Sequence, residues 1–384
     1  MDTYGRGHVD SSGPLTASLA IVGEAPGTRE LEHGAPMVGP TGEFVNRALG
    51  GIDRRACTFV TNASRCLPYD NEKDPSERIA HYSPLLAQEL AALTQCQTLL
   101  LVGAEATRAA LGIKGIAQYH GSVFTRAEVD ALRTFHAGEP TLVDAIPPNV
   151  KTVVCSLHPA YAMRGMPQFR PVIGTAIKRA QRWSESGRTP QRFSDFYLQP
   201  TVDAFDDFMS HLDDASIDVE TLRSTGEITV CGVSNDTTAY VVPWFGDYIE
   251  VVRKYLASDK EKTGHNFVFD KMAFWRYELD TNPKVWNTID AGALLWPQQK
   301  ERTSTGKKRA GAKWLSLASC VLRVCDGVAY WKRPDLPDTA VTYAASYPTI
   351  DPSLYEAVYC GLDCLYTMKL KRAEEALLLR EGML

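Results

Sequence analysis

A chain of 384 residues, 44% hydrophobic and 23% charged, is long enough for two globular domains. No apolar run approaches the ~20 residues of a membrane span and the amino terminus lacks a basic-then-apolar signal, so no membrane partner and a cytoplasmic location are expected. The net charge of −5 argues against a nucleic-acid coat protein, and nine scattered cysteines without a Cys-x-x-Cys argue against a disulfide framework or zinc ribbon.

In chain order, Leu19–Val22, Thr58–Thr61, Leu99–Val102 and Thr152–Ser156 read as buried strands. Helical patterns lie near Thr41–Leu49, Ser76–Leu93, Glu105–Leu111 and Ile173–Trp183. This alternation predicts an α/β domain over residues 1–185, with a doubly wound parallel sheet covered on both faces. Ligands of such sheets bind beyond the carboxyl ends of the strands. Glu24, Asn62, Gly103 and His158, each at or just past a strand end, should therefore share one rim. Arg126–Asn149 breaks the rhythm and reads as a surface insertion.

Residues 186–204 are polar and proline-bearing, the composition of a linker. Over residues 205–384, Ser216–Glu220, Ile228–Ser234 and Thr238–Pro243 read as strands joined by hairpins. Helices are expected near Asp247–Ala257, Val268–Tyr277, Trp314–Val321 and Ser353–Leu379. Strands followed by helices predict an α+β domain with a mixed sheet.

This second half carries Asp218 and Glu220 on one strand, Asp270 after His265-Asn266, and the pair Tyr359 and Asp363. Positions i and i+2 of a strand share a face, and positions i and i+4 of a helix are neighbours. The alternation of Asp218 and Glu220 with Ile217 and Val219 is costly on a sheet strand unless the charges are used. Such carboxylates hold hard divalent cations beside a phosphodiester. Asp290 reads as the cap of the following helix rather than a ligand. Cys360 and Cys364, at helical spacing without nearby histidines, read as packing. The basic run from Lys300 to Lys313 suits contact with a phosphate backbone.

The motifs Asp218-x-Glu220, Asn266-x-x-x-Asp270 and Tyr359-x-x-x-Asp363, with Asn287-Thr-Ile-Asp290 and Trp314-Leu-Ser-Leu-Ala, resemble the tyrosine-bearing branch of the DEDD 3′–5′ exonucleases. The likeness is to the proofreading domain of family A DNA polymerases, over about Phe205–Leu379. It implies a ribonuclease H-like domain in which Asp218, Glu220, Asp270 and Asp363 hold two Mg²⁺ or Mn²⁺ ions. Tyr359 would orient the attacking water, and Thr221, Leu222 and Asn266 would line the terminal nucleotide's pocket. Processing of RNA, as by ribonuclease D, uses the same carboxylates.

In the first half, Gly23-Glu24-Ala25-Pro26-Gly27, Pro36-Met37-Val38-Gly39, Asn62 to Pro68, Leu101-Val102-Gly103-Ala104 and His158-Pro159-Ala160-Tyr161 resemble the uracil-DNA glycosylase superfamily, family 4. The resemblance implies that a uracil is flipped into the rim pocket. Asn62 would bind the pyrimidine edge, His158 would donate to the base as it leaves, and Glu24 would position water. Arg164 would meet the phosphate backbone. Family 4 enzymes usually hold an iron–sulfur cluster on four cysteines. Here only Cys66 matches and Tyr82 replaces the last ligand, so the cluster is predicted absent. Met37 stands where the family has a phenylalanine that stacks on the base, which reduces stacking.

The expected whole is a uracil-glycosylase-like domain fused to a proofreading-type exonuclease, an order that resembles bacteriophage family A polymerases. It would act in DNA replication or repair, on single-stranded 3′ ends and uracil-containing DNA, in a bacterial or phage-infected cytoplasm. The alternative is a glycosylase fold that only recognises uracil or template while the nuclease works. No polymerase motif follows Asp363 before Leu384, so the expectation is either a DNA polymerase supplied as a separate polypeptide and acting in trans as a partner, or a chain that is the exonuclease part of a split phage DNA polymerase.

Overall fold

The computed structural model describes residues 4–51, 55–70, 72, 74–135, 145–164, 166–297, 315–332 and 337–384. The chain forms two units. The first comprises residues 1–191 with 326–330 and 337–346, and the second comprises 192–325, 331–336 and 347–384.

The first unit is built on five strands: β1 (Leu19–Gly23), β2 (Phe59–Asn62), β3 (Thr98–Val102), β4 (Val123–Thr125) and β5 (Thr152–Ser156). Their spatial order is β2-β1-β3-β5-β4. All neighbours are parallel except β4, which runs antiparallel to β5. β1, β3 and β5 are buried at every position, as unbroken apolar strands of a covered sheet must be. Its helices include α1 (Thr28–His33), α2 (Pro40–Leu49), α3 (Ser76–Ala91), α4 (Ala104–Leu111), α5 (Arg126–Phe135), α6 (Pro159–Met163) and α7 (Arg170–Ser186), with a single turn at Ile116–Tyr119.

Three expectations need correction. The sheet is not purely parallel, because the short strand β4 closes its edge. Arg126–Phe135 is a helix rather than part of a surface insertion, and its Val129 and Leu132 are wholly buried in the core with Leu99, Leu101 and Val153. Thirdly, a distant segment completes this unit. Val123 N–H donates to Val328 O at 2.8 Å, and Tyr330 N–H donates to Ser122 Oγ at 3.1 Å. Asp326 accepts Trp183 Nε1–H at 2.9 Å and pairs with Arg179 and Arg182.

The second unit holds six strands: β6 (Asp195–Leu198), β7 (Asp214–Thr221), β8 (Ile228–Ser234), β9 (Thr238–Pro243), β10 (Glu261–Gly264) and β11 (Val285–Asn287). Their order is β11-β10-β7-β8-β9-β6. β7, β8 and β9 form the expected antiparallel meander, and β6, β10 and β11 add parallel pairs, which makes a mixed sheet. β6 lies inside the stretch read as a linker. The helices are α8 (Val202–Ser210), α9 (Asp247–Ala257), α10 (Val268–Trp275), α11 (Thr288–Leu295), α12 (Leu317–Val324) and α14 (Tyr355–Arg380); α13 (Pro337–Ser346) belongs to the first unit. On β7, Ile217 and Val219 enter a core with Cys231, Val233, Val252 and Phe274, which turns Asp218 and Glu220 to the other face. Trp314 and the basic run from Lys300 to Lys313 lie outside the described residues. No described helix is long and apolar enough to cross a membrane.

Candidate functional site

In the first unit, parallel strands deliver the rim residues to one edge. Glu24 follows β1, Asn62 ends β2, Gly103 follows β3, and His158 lies two residues beyond β5. Glu24 Oε1 accepts the N–H of Ala104 at 2.6 Å and of Glu105 at 3.4 Å, at the start of α4. Gly103 makes that approach possible. Its φ is +103°, and a Cβ there would overlap the Glu24 carboxylate. Burial raises the Glu24 pKa against the pull of the two N–H donors and of Arg164.

Asn62 is buried. A Cβ on Gly23 would overlap Asn62 Oδ1 and come within 2.9 Å of Met37 Cε, so glycine lets these two side chains meet. Met37 is buried and held in the left-handed region at φ 54°, a strain that surrounding structure must hold in place. His158 caps α6, and its Nδ1 accepts Ala160 N–H at 3.3 Å. Burial, and then the charge of Arg164, lowers its pKa to about 4. The imidazole is neutral at pH 7 with its proton on Nε2, which makes Nε2–H its donor.

Glu30 is a further functional residue of the rim, and its place in the first turn after Gly27 has the spacing of a capping box. Its buried carboxylate ties two rim loops together: Oε2 accepts Gly27 N–H at 3.1 Å and Oε1 accepts Gly39 N–H at 2.7 Å.

In the second unit, the carboxylates of Asp218 and Glu220 and the sulfur of Cys360 lie within 4.8 Å of one another. Cys360 is fully buried, as packing requires, and it also faces Asp218, with Sγ 4.0 Å from Oδ2. Asp270, in the first turn of α10, is buried, and its Oδ1 accepts Val219 N–H at 3.1 Å, between the two β7 carboxylates. Asp363 is buried on α14. It accepts Trp331 Nε1–H at 2.6 Å and the Lys332 ammonium, which also lies 3.2 Å from the Tyr359 hydroxyl. Tyr359 and Asp363, one turn apart, are thus joined through Lys332. Thr221 ends β7 half-buried, and Leu222 and Asn266 are exposed. Asn266 N–H donates to Asn287 Oδ1 at 2.9 Å. Asn287 holds the N-cap position of α11 without a side-chain capping bond; Asp290, expected as the cap, sits inside the first turn and accepts Asn287 Nδ2–H at 2.9 Å.

The charges of this cluster oppose one another. Burial, with Asp363 adding, pushes the Asp218 pKa up to about 7. Burial, then Asp218 and Asp363, pushes Glu220 up to about 9. Asp270 is raised by burial and by Asp218. Burial works against the Lys332 ammonium, but Asp363, Asp218 and Glu220 outweigh it and raise its pKa. The Lys332 ammonium already acts on three of the carboxylates, Asp363, Asp218 and Glu220, and the mutual repulsion of the acidic groups is the arrangement that divalent cations relieve. These donors fit hard cations. Lys332 and Trp331 were not legible in the sequence, because they lie in an irregular segment without periodicity.

The family model of the uracil DNA glycosylase superfamily matches residues 11–178. The first unit carries a uracil-DNA glycosylase superfamily domain. The type-4 uracil-DNA glycosylase of Pyrobaculum aerophilum is 35% identical over 91 residues, 23% of this chain and 46% of the relative. That of Archaeoglobus fulgidus is 32% identical over 87 residues, 22% of this chain and 44% of the relative. The chain thus spans about half the length of the curated relatives it matches. Among solved structures it is similar to Brucella melitensis NrnC, with 21% identity, 49% of this chain and 83% of that chain covered, and a TM-score of 0.32. It is also similar to Escherichia coli RNase D, an exoribonuclease involved in structured RNA processing, with 14% identity, 50% and 48% covered, and a TM-score of 0.35.

In the glycosylase domain, Cys66 and Tyr82 are both buried. Tyr82 offers a phenol where the expected four-thiolate cluster calls for a cysteine.

Two substitutions probe the two sites. Gly103→Ala should destabilise the glycosylase domain by about 1–3 kcal/mol, since it forces a side chain to positive φ and into Glu24; urea unfolding at unchanged m-value checks this. Lys332→Met should cost about 3 kcal/mol in EDTA, because it leaves the buried Asp363 carboxylate without its ammonium. Added Mg²⁺ should recover part of that loss, as read by the same unfolding curves.

Proposed function

We propose that the protein is a metal-dependent 3′–5′ exonuclease acting on DNA, fused to a domain that excises uracil. What supports the nuclease reading is that Asp218 and Glu220 share one face of β7 with ligand atoms within 4.8 Å of each other, and that buried Asp270 and Asp363, from two helices, interact electrostatically with this pair. Divalent cations bound there would polarise the terminal phosphodiester and make water a better nucleophile. Asp218 and Glu220 would be ligands to the cations, with Asp270 held in place by Val219 N–H. Lys332 would give up part of its hold on Asp363 to the cations and keep the Tyr359 hydroxyl aimed at the attacking water. Thr221, Leu222 and Asn266 would border the terminal nucleotide.

In the glycosylase domain, Asn62 would hydrogen-bond the pyrimidine edge of a flipped uracil. The neutral His158 would donate from Nε2 as negative charge develops on the departing base, which is the chemical need of that step. Glu24 would position the water that adds at C1′ as the glycosidic bond breaks, leaving uracil and an abasic site. Met37 offers a thioether rather than a ring to the base. That favours a second reading, in which the domain recognises uracil without excising it.

One assay separates these readings. A 5′-labelled single-stranded oligonucleotide, with or without one uracil, is incubated with Mg²⁺ and then treated with alkali. Stepwise shortening reports the exonuclease, and alkali-labile cleavage at uracil reports excision. No shortening with Mg²⁺ or Mn²⁺ would refute the nuclease; intact DNA at uracil would leave recognition alone. A DNA polymerase is the partner such trimming would serve. Failure to co-purify with the cognate polymerase or to stimulate it would remove that assignment.

A further inference from the structure

An open groove of about 630 Å³ lies on the glycosylase domain between α2 and α7. Phe44 and Arg47 come from α2, Arg170, Pro171 and Lys178 from α7, and Met163 ends α6 at its side. Gly174 keeps the floor low: a Cβ there would lie 3.9 Å from Phe44 Cζ. The three cations are exposed, and among the described residues no carboxylate pairs with them. Three buried arginines of the same domain are, by contrast, paired with carboxylates. Arg65 is paired with Glu89, Arg78 with Glu72 and Glu105, and Arg179 with Asp326.

The groove adjoins the rim. α6 begins at its cap, His158, and reaches Met163 five residues later, about 7.5 Å along a helix. That is roughly two nucleotide steps at ~3.4 Å per strand charge. The next residue, Arg164, acts electrostatically on both Glu24 and His158, so positive charge runs from the rim to the groove.

We infer that this groove is a track for the phosphodiester backbone of the DNA strand that flanks the base held at the rim. Arg47, Arg170 and Lys178 neutralise successive phosphates, and the apolar surface of Phe44, Met163 and Pro171 lies against sugars and bases. The inference rests on the reading of this domain as one that acts on DNA.

The test uses the full-length protein in EDTA, which keeps the nuclease silent. Anisotropy of a labelled single-stranded oligonucleotide with one uracil is followed from 50 to 200 mM NaCl. The triple variant Arg47→Gln, Arg170→Gln, Lys178→Gln should bind at least tenfold more weakly at the lowest salt. Its slope of log affinity against log salt should be smaller by about two, at ~0.7 per lost contact. Thr175→Glu, which adds a carboxylate to the groove wall, should also weaken binding. Unchanged affinity and slope in both variants would overturn the track. If uracil excision persisted in those variants and vanished in His158→Ala, the domain's proposed activity would stand without it. Stabilisation by inorganic phosphate, lost in the triple variant while DNA binding is unchanged, would make the groove a free-anion site and equally overturn the inference.

Discussion

Asp218→Asn is expected to slow 3′ trimming by at least about 10³-fold while raising the stability of the metal-free protein. The loss would follow from removing a cation ligand, a change of several kcal/mol at ~1.36 kcal/mol per tenfold in rate. The gain follows from the electrostatics of the cluster. Burial and Asp363 hold the Asp218 pKa near 7, far above an ordinary aspartate, so ionising it in the folded protein is unfavourable. The sign is that of a raised acid: the penalty is absent below the unfolded value and grows as pH rises from about 4 to 7. Thermal unfolding in EDTA at pH 7 should therefore show a higher melting temperature for the variant, and Mg²⁺ should stabilise the wild type more than the variant. Lower stability in both conditions would contradict this assignment, since a merely structural aspartate would behave that way.

His158→Ala should lower uracil excision by about 10²–10³-fold, the usual cost of one donor aimed at developing charge, and leave 3′ trimming intact. With a folded-state pKa near 4, His158 is neutral across the physiological range. Excision limited by this group should be flat from pH 8 to about 5 and fall near 4, where protonation of Nδ1 removes its acceptance of Ala160 N–H and with it the ring's placement. The stability effect runs the same way. The unfolded chain binds a proton near pH 6.5 and the folded one only near 4, so stability is complete above 6.5 and is lost as pH drops between them. Melting temperatures of wild type and His158→Gln measured from pH 7 to 4 should converge at the acid end. A bell-shaped excision profile centred near pH 6.5 would show that the donor is another group.

Much of both sites could be read from residue pattern alone. β1, β2, β3 and β5 fall within one residue of expectation because buried parallel strands are unbroken apolar runs. Asp218 and Glu220 share a strand face, and Tyr359 and Asp363 share a helix, because those relations are fixed by local periodicity. What escaped was non-local or very short. β4 and β11 are three residues long, too short to show alternation. Lys332 reaches Asp363 from a segment with no regular pattern, and Val328 pairs with Val123 about two hundred residues away. Glu30 was within reach of a capping-box reading, which the loop motif around it obscured.

Manganese titration followed by electron paramagnetic resonance probes the carboxylate centre most directly. Two Mn²⁺ ions per chain should bind to the wild type, with Mg²⁺ competing for them, and Asp218→Ala should weaken both. No tightly held manganese, or binding indifferent to that substitution, would contradict the account.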